Sequence, residues 1–263
     1  MNIIKCTSTH NTTAKPNRKI EWIVLHYTAG TTSKSGKALD VAKMFSRQTR
    51  EASADFIVDD GSIVQYNRDI ANRYCWAVGG SKYANKTTSE ASKYYGKCKN
   101  NNSISIEMCS TKKNTKSLLA TDDDWSITAK TVNNAVDLVK CLMVQYKIDA
   151  SHVIMHHHVT GKPCPQPWCK NEAALKAWKS FKKKLTTTAS TPKPTTASTT
   201  SYYPKYAGKT RSIVDALQTL KIDSGFSSRK KIAKANGISD YSGTASQNTK
   251  LLTLLKQGKL KKA

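Results

Sequence analysis

Four of the six histidines fall between positions 152 and 158, three of them consecutive in His156–His157–His158–Val159–Thr160–Gly161–Lys162–Pro163–Cys164–Pro165. Imidazole and thiolate are donors that zinc prefers, and three protein donors with a fourth position open make a hydrolytic rather than a structural centre. A further histidine, His26, closes the apolar run Trp22–Ile23–Val24–Leu25 far upstream. Together, these residue types would support hydrolysis by a metal-activated water.

Such donors must be held rigidly, so the elements around them matter. The run before His26 reads as a buried strand. Val153–Ile154–Met155 reads as a short strand delivering His156. Ala54–Val58 and Ser62–Tyr66 flank Asp59–Asp60–Gly61, a hairpin signal. Ser103–Met108 alternates polar and apolar residues, as a half-buried strand does. Leu39–Arg50, Thr128–Tyr146 and Glu172–Leu185 carry apolar residues at helical spacing. The expected fold is α/β: a mixed β-sheet flanked by helices, followed by a small, mainly helical C-terminal module.

The boundary between the two is compositional. Residues 186–201, rich in Thr, Ser, Ala and Pro, cannot build a core and read as an extended linker. They separate an N-terminal domain of residues 1–185 from a module of residues 202–263. In that module three short helices are expected between Gly225, Gly237 and Gly243, with no His or Cys. A large unit tethered to a small one suggests catalysis plus targeting.

Composition narrows the partners. Forty-three Lys and Arg against eighteen Asp and Glu give a formal charge of +25, which calls for a polyanion: nucleic acid, a membrane surface or an anionic cell wall. The lysines are dispersed and no nucleic-acid motif is present. No apolar stretch is long enough to span a membrane, and Met1–Cys6 does not open a secretory signal peptide, so synthesis in the cytoplasm is expected. The seven cysteines have no framework spacing and are expected to be reduced, most of them as small buried hydrophobes.

Four blocks then carry a resemblance. Trp22–Gly30, the Asp59–Gln65 hairpin, Asn102–Glu107 and His156–Pro165 occur in that order. Together they resemble the zinc-dependent N-acetylmuramoyl-L-alanine amidase family (type 2), specifically the amidase domains of phage and prophage endolysins. The resemblance spans nearly the whole N-terminal unit and implies cleavage of the amide between N-acetylmuramic acid and L-alanine in peptidoglycan. It also implies a zinc ion held by His26, a second histidine and Cys164. Three histidines compete for the second place. The family pattern selects His156, and His158 is the main competitor because it would share a strand face. Glu107 matches the family's general base, and Lys162 its oxyanion contact. Ala77 stands where the family often has histidine, which bears on substrate contacts; Ala54 stands where some relatives have tyrosine. The C-terminal module is similar to small wall-binding modules of endolysins, and its basic residues suit an anionic wall polymer. Such an enzyme acts on the wall after release from the host cytoplasm, with no nucleic-acid partner and no membrane insertion.

Two other classes are set beside this one: a non-catalytic peptidoglycan-binding protein on the same fold, and a basic nucleic-acid-binding protein. Elsewhere, His10 and His152 read as surface residues. Asp122–Asp123–Asp124 reads as a solvated loop rather than a calcium site, and Trp168 and Cys169 as packing.

Overall fold

The computed structural model describes residues 3–84, 87–186, 202–208, 210–220, 222–238 and 240–262. The expected linker, Thr186 excepted, lies outside the described residues. The chain divides into two compact units, Met1–Ser190 and Thr191–Ala263.

The first unit contains ten strands: β1 (Ile3–Ser8), β2 (Thr12–Ala14), β3 (Trp22–Tyr27), β4 (Phe56–Val58), β5 (Ile63–Asn67), β6 (Arg73–Cys75), β7 (Ser103–Met108), β8 (Thr111–Lys112), β9 (Trp125–Ser126) and β10 (Val153–Met155). Six form one mixed sheet in the order β1-β5-β4-β7-β3-β10. Only β4 and β5, the expected hairpin, pair antiparallel; the other neighbours are parallel. β2–β6 and β8–β9 make two small ladders.

Every residue of β3 is buried, which is why it reads as an unbroken apolar run. On one face of the sheet lie α2 (Ala129–Tyr146) and α5 (Leu175–Thr186), which bury Leu138, Val139, Leu142, Trp178 and Phe181 against Ile23, Leu25, Ile104 and Ile106. Thr128 caps α2, its Oγ1 accepting from the Thr131 amide at 3.2 Å. α1 (Lys37–Phe45) packs Ala38, Val41, Ala42 and Phe45 on Ile57, Val64 and Tyr66. It ends five residues before the expected Arg50. Beyond Phe45 no apolar side chain remains to be buried, and Ser46 Oγ turns back to the Lys43 carbonyl at 2.8 Å.

Two short helices follow β10: α3 (His156–Thr160) and α4 (Gln166–Cys169). Trp168 and Cys169 are core residues, with the Trp168 ring 5.0 Å from Phe181. His152 departs from expectation. It is half-buried, its ring edge-on to Trp22 at 4.4 Å, because the turn Ala150–His152 leads directly into β10, which pairs with the strand that bears Trp22. Asp122 and Asp124 are not merely solvated: both clasp the buried Lys112 ammonium, Asp124 Oδ1 at 3.2 Å. All seven cysteines are free, five of them buried.

A buried polar hub ties the sheet to the arm before β3. Arg18 Nη2 lies 3.7 Å from Asp55 Oδ1, and Arg18 Nε and Nη1 donate to the carbonyls of Ile70 and Ser103. Asp55 Oδ2 in turn accepts the Ser105 amide at 2.7 Å. The charge pair is tolerated because nearly every donor and acceptor finds a partner.

The second unit folds around its own core. Its helices α6 (Ile213–Thr219), α7 (Phe226–Ala235) and α8 (Ala245–Lys256) bury Ile213, Leu217, Ile232, Leu251 and Leu255 together. Among the described residues no helix is long and apolar enough to cross a membrane.

Candidate metal centre

Two of the three donors are placed by neighbouring strands. β3 and β10 pair in parallel, Leu25 against Met155, so His26 and His156 follow side by side at the same end of the sheet. Cys164 reaches the same point from the loop after α3. One donor atom from each of His26, His156 and Cys164 falls within a cluster 4.8 Å across, and all three residues are buried. The two imidazole rings meet edge-on at 4.8 Å, and His26 Nδ1 lies 3.7 Å from Cys164 Sγ.

The bonding of each donor bears on whether a metal fits. Both ring nitrogens of His156 are buried and without a hydrogen-bond partner. Leaving such atoms unpaired is costly, so an arrangement that keeps them so needs a ligand to receive them. His26 turns Nδ1 toward the cluster while Nε2 faces Ser105 Oγ at 3.3 Å, the outer contact that fixes a ligating imidazole. Burial holds both imidazoles neutral, His156 down to about 3 and His26 well below its ordinary value. Burial pushes the Cys164 thiol up to about 12, so the thiolate form needs a cation beside it. Two neutral imidazoles and a buried thiol, with unmet lone pairs converging, match the donor set of a hydrolytic zinc site.

Two further predicted residues stand beside this cluster. Glu107 on β7 is the register partner of His26 on β3. Its Oε2 is buried without a hydrogen bond, and burial raises its carboxyl to about 7 against the pull of Lys162 and Arg50. A carboxylate poised near neutrality is suited to exchanging protons. The charge of Lys162 acts on His26, His156, Glu107 and Cys164, which sets it at the rim of the cluster.

Secondary structure bears on the three competing histidines. The strand ends at Met155, and His156–Thr160 is a helical turn, so consecutive side chains point in different directions and the shared strand face expected for His158 does not exist. His157 points away from the donors. Its Nδ1 faces the carbonyls of Gly161 at 3.2 Å and Lys162 at 3.0 Å and therefore carries the proton, leaving Nε2 to accept from Thr88 Oγ1 at 2.7 Å. His158 Nε2 lies 2.9 Å from Glu90 Oε2, close but not aligned as a hydrogen bond. Both histidines thus hold the segment 87–94 against α3. Backbone bonds from Tyr83, Ser92 and Tyr94 to the carbonyls of Thr160, His157 and His158 add to this. Gly161 closes the turn at φ 82°, and a Cβ there would meet Ser92 Oγ at 2.8 Å.

Of the three donors, His156 lines a groove of about 730 Å³, together with Lys162, Arg50, Trp76, Lys82 and Tyr83, among others. Ala77 lines it where the family often has histidine. Ala54 is fully buried and contributes to the core beneath. Sequence reasoning passed over Ser105, Thr88 and Arg50. Ser105 carried a faint signal, two residues before Glu107 on an alternating strand, whereas the others become neighbours of the site only through the fold.

A profile described as N-acetylmuramoyl-L-alanine amidase matches residues 16–167. The chain is 26% identical over 224 residues to a probable N-acetylmuramoyl-L-alanine amidase of Bacillus licheniformis, a match covering 79% of this chain and 55% of that protein. It is 31% identical over 134 residues to the N-acetylmuramoyl-L-alanine amidase CwlL of the same organism, 49% of this chain and 34% of that one. Over 47 residues it is 55% identical to the L-alanyl-D-glutamate peptidase of Listeria phage A118, 18% of this chain and 17% of that protein. The chain therefore spans about half the length of the first of these relatives and less of the others. Among solved structures, the E90A mutant structure of PlyL shares the fold with a TM-score of 0.51 at 24% identity, over 71% of this chain and 99% of that one.

Proposed function

The chain belongs to the N-acetylmuramoyl-L-alanine amidase family, and on that premise we propose that it is a zinc-dependent peptidoglycan hydrolase. It cuts the amide between the lactyl group of N-acetylmuramic acid and L-alanine. The observation that carries this reading is the convergence of buried donors from His26, His156 and Cys164, with both His156 ring nitrogens unpartnered, beside the unpartnered Glu107 Oε2.

His26, His156 and Cys164 are the residues that would hold zinc. When bound, the ion supplies Lewis-acid polarisation of the scissile carbonyl and acidifies water. Glu107 takes a proton from the attacking water as its oxygen bonds to the lactyl carbon. As the C–N bond breaks, the same carboxyl returns the proton to the departing alanine amine. Lys162 places its ammonium where negative charge develops on the carbonyl oxygen. Ser105 and the Asp55–Arg18 hub behind it keep the His26 ring oriented, and His157 holds the loop that bears Lys162 and Cys164.

The residues beyond the catalytic domain form, in this reading, a linker over 186–201 and a wall-binding module over 202–263. Its support is the separate core of the second unit and its lack of His and Cys.

Digestion of purified peptidoglycan tests the reaction. New L-alanine amino termini without new reducing sugar ends are expected. Reducing ends would assign the cleavage to the glycan instead.

A further inference from the structure

Residues 202–263 hold thirteen Lys or Arg against three Asp and no Glu. Such a charge attracts polyanions but does not by itself select one. One place on the unit offers selection. Phe226, the first residue of α7, is 50% exposed although apolar. Its ring is fixed rather than loose: the Tyr241 ring lies 5.7 Å away, and the Arg229 guanidinium sits 5.9 Å from its centroid. Gly243, at φ +81°, lets the chain pass beneath it, since a Cβ there would fall 3.0 Å from Phe226 Cε2.

Arg229 is anchored in turn. Its Nε donates to the Ser224 carbonyl at 3.1 Å, and its Nη1 donates to Tyr241 Oη at 3.1 Å and Asn248 Oδ1 at 3.2 Å. All these acceptors are neutral, and among the described residues no carboxylate pairs with Arg229. The unit therefore holds an oriented, half-buried cation without a counter-charge beside an exposed aromatic ring. An exposed ring offers a face to the apolar side of a sugar, and Arg229 Nη2, outside those three bonds, can donate to a phosphate in a charge-assisted hydrogen bond.

We propose that Phe226 and Arg229 form a binding ledge for a phosphodiester-linked glycopolymer of the bacterial wall, with a sugar ring stacked on Phe226 and a phosphate on Arg229. The inference rests on reading this unit as a wall-binding module, and its test involves no hydrolysis, so it stands or falls apart from the amidase reaction.

The full chain carrying Glu107→Gln is pelleted on ice with purified Gram-positive walls, either intact or stripped of phosphodiester-linked polymers by cold hydrofluoric acid. On the walls that the parent binds best, Phe226→Ala and Arg229→Gln are each expected to bind about tenfold more weakly. Stripping should weaken the parent at least as much and add little to the loss in either variant. Lys230→Ala, an exposed cation on the same helix, should change little. Unchanged binding by a folded Phe226→Ala chain would overturn the ledge, as would undiminished binding of the parent to stripped walls. If Phe226→Ala lowers the melting temperature of the unit, Phe226→Leu keeps the apolar bulk without the ring face and must show the same loss. A parent that binds no wall would remove the module reading on which the ledge depends.

Discussion

His157 Nδ1 donates to the backbone carbonyl of Lys162 at 3.0 Å, and the His157 amide donates to the carbonyl of Cys164 at 2.8 Å. One buried residue therefore fixes both ends of the loop that carries a metal donor and the proposed oxyanion contact. A side chain next to a ligand in sequence acts here through the backbone of the following turn.

Replacing His157 with Ala removes this anchor and leaves Thr88 Oγ1 and the Gly161 carbonyl without their partner in the interior, while the Lys162 carbonyl keeps only the Cys164 amide. A loss of about 2–4 kcal/mol in stability is expected, with a clear fall in zinc retained after dialysis. His157→Gln, which can still donate to the carbonyls and accept from Thr88, should recover part of both. Equal zinc content in His157→Ala and the parent would remove the positioning role.

Cys164→Ser keeps the shape of the site but replaces the thiolate with a weaker donor. Zinc content and wall-lytic activity should fall together, and a strong chelator should abolish activity that added zinc restores. Full activity in the metal-stripped protein would eliminate the zinc mechanism.

Glu107 makes a prediction about stability as well as rate. Burial raises its carboxyl to about 7 in the folded protein, whereas the unfolded chain releases this proton near its ordinary value of 4.5. Between those values the folded state binds more protons than the unfolded state, so its stability falls as pH rises from about 4.5 to 7. In metal-free protein, Glu107→Gln should remove this dependence and be more stable than the parent at pH 7.5, by on the order of 2 kcal/mol. The same substitution should lower kcat about 10²- to 10⁴-fold. Melting curves of both proteins at pH 5 and 7.5 check the first part, and initial rates the second.

Lys162→Met should depress kcat about 10²- to 10³-fold while changing KM little, because its charge acts on the oxygen only as negative charge develops. A rise in KM at constant kcat would assign Lys162 to substrate binding instead.

The sequence was most legible where a single period ran uninterrupted. β3 announced itself through the apolar run Trp22–Leu25, α2 through its apolar stripe, and the β4–β5 hairpin through Asp59–Asp60–Gly61. The edge strand β1 was missed because Ile3–Ser8 is half exposed and shows no clean alternation. His156, selected by family pattern rather than by periodicity, does sit with His26 and Cys164. The strand face that made His158 a competitor of His156 is absent for a local reason: a helical turn of five residues is too short to leave a periodic trace in the sequence. The links among Arg18, Asp55, Ser105 and His26 depend on groups brought together from four separate stretches, and nothing in any one stretch indicates the others.

The order of strands across the sheet bears on how the protein comes to exist. β10 is the last strand in sequence and occupies the edge beside β3, and Cys164 is separated from His26 by 138 residues of chain. Contacts that span so much chain form late in folding, after the entropy of closing a long loop has been overcome. During synthesis His26 emerges long before its partners, so the nascent protein has no preformed cage for a stray ion to occupy. Metal capture would then be the final step of maturation, marking chains that have folded to completion.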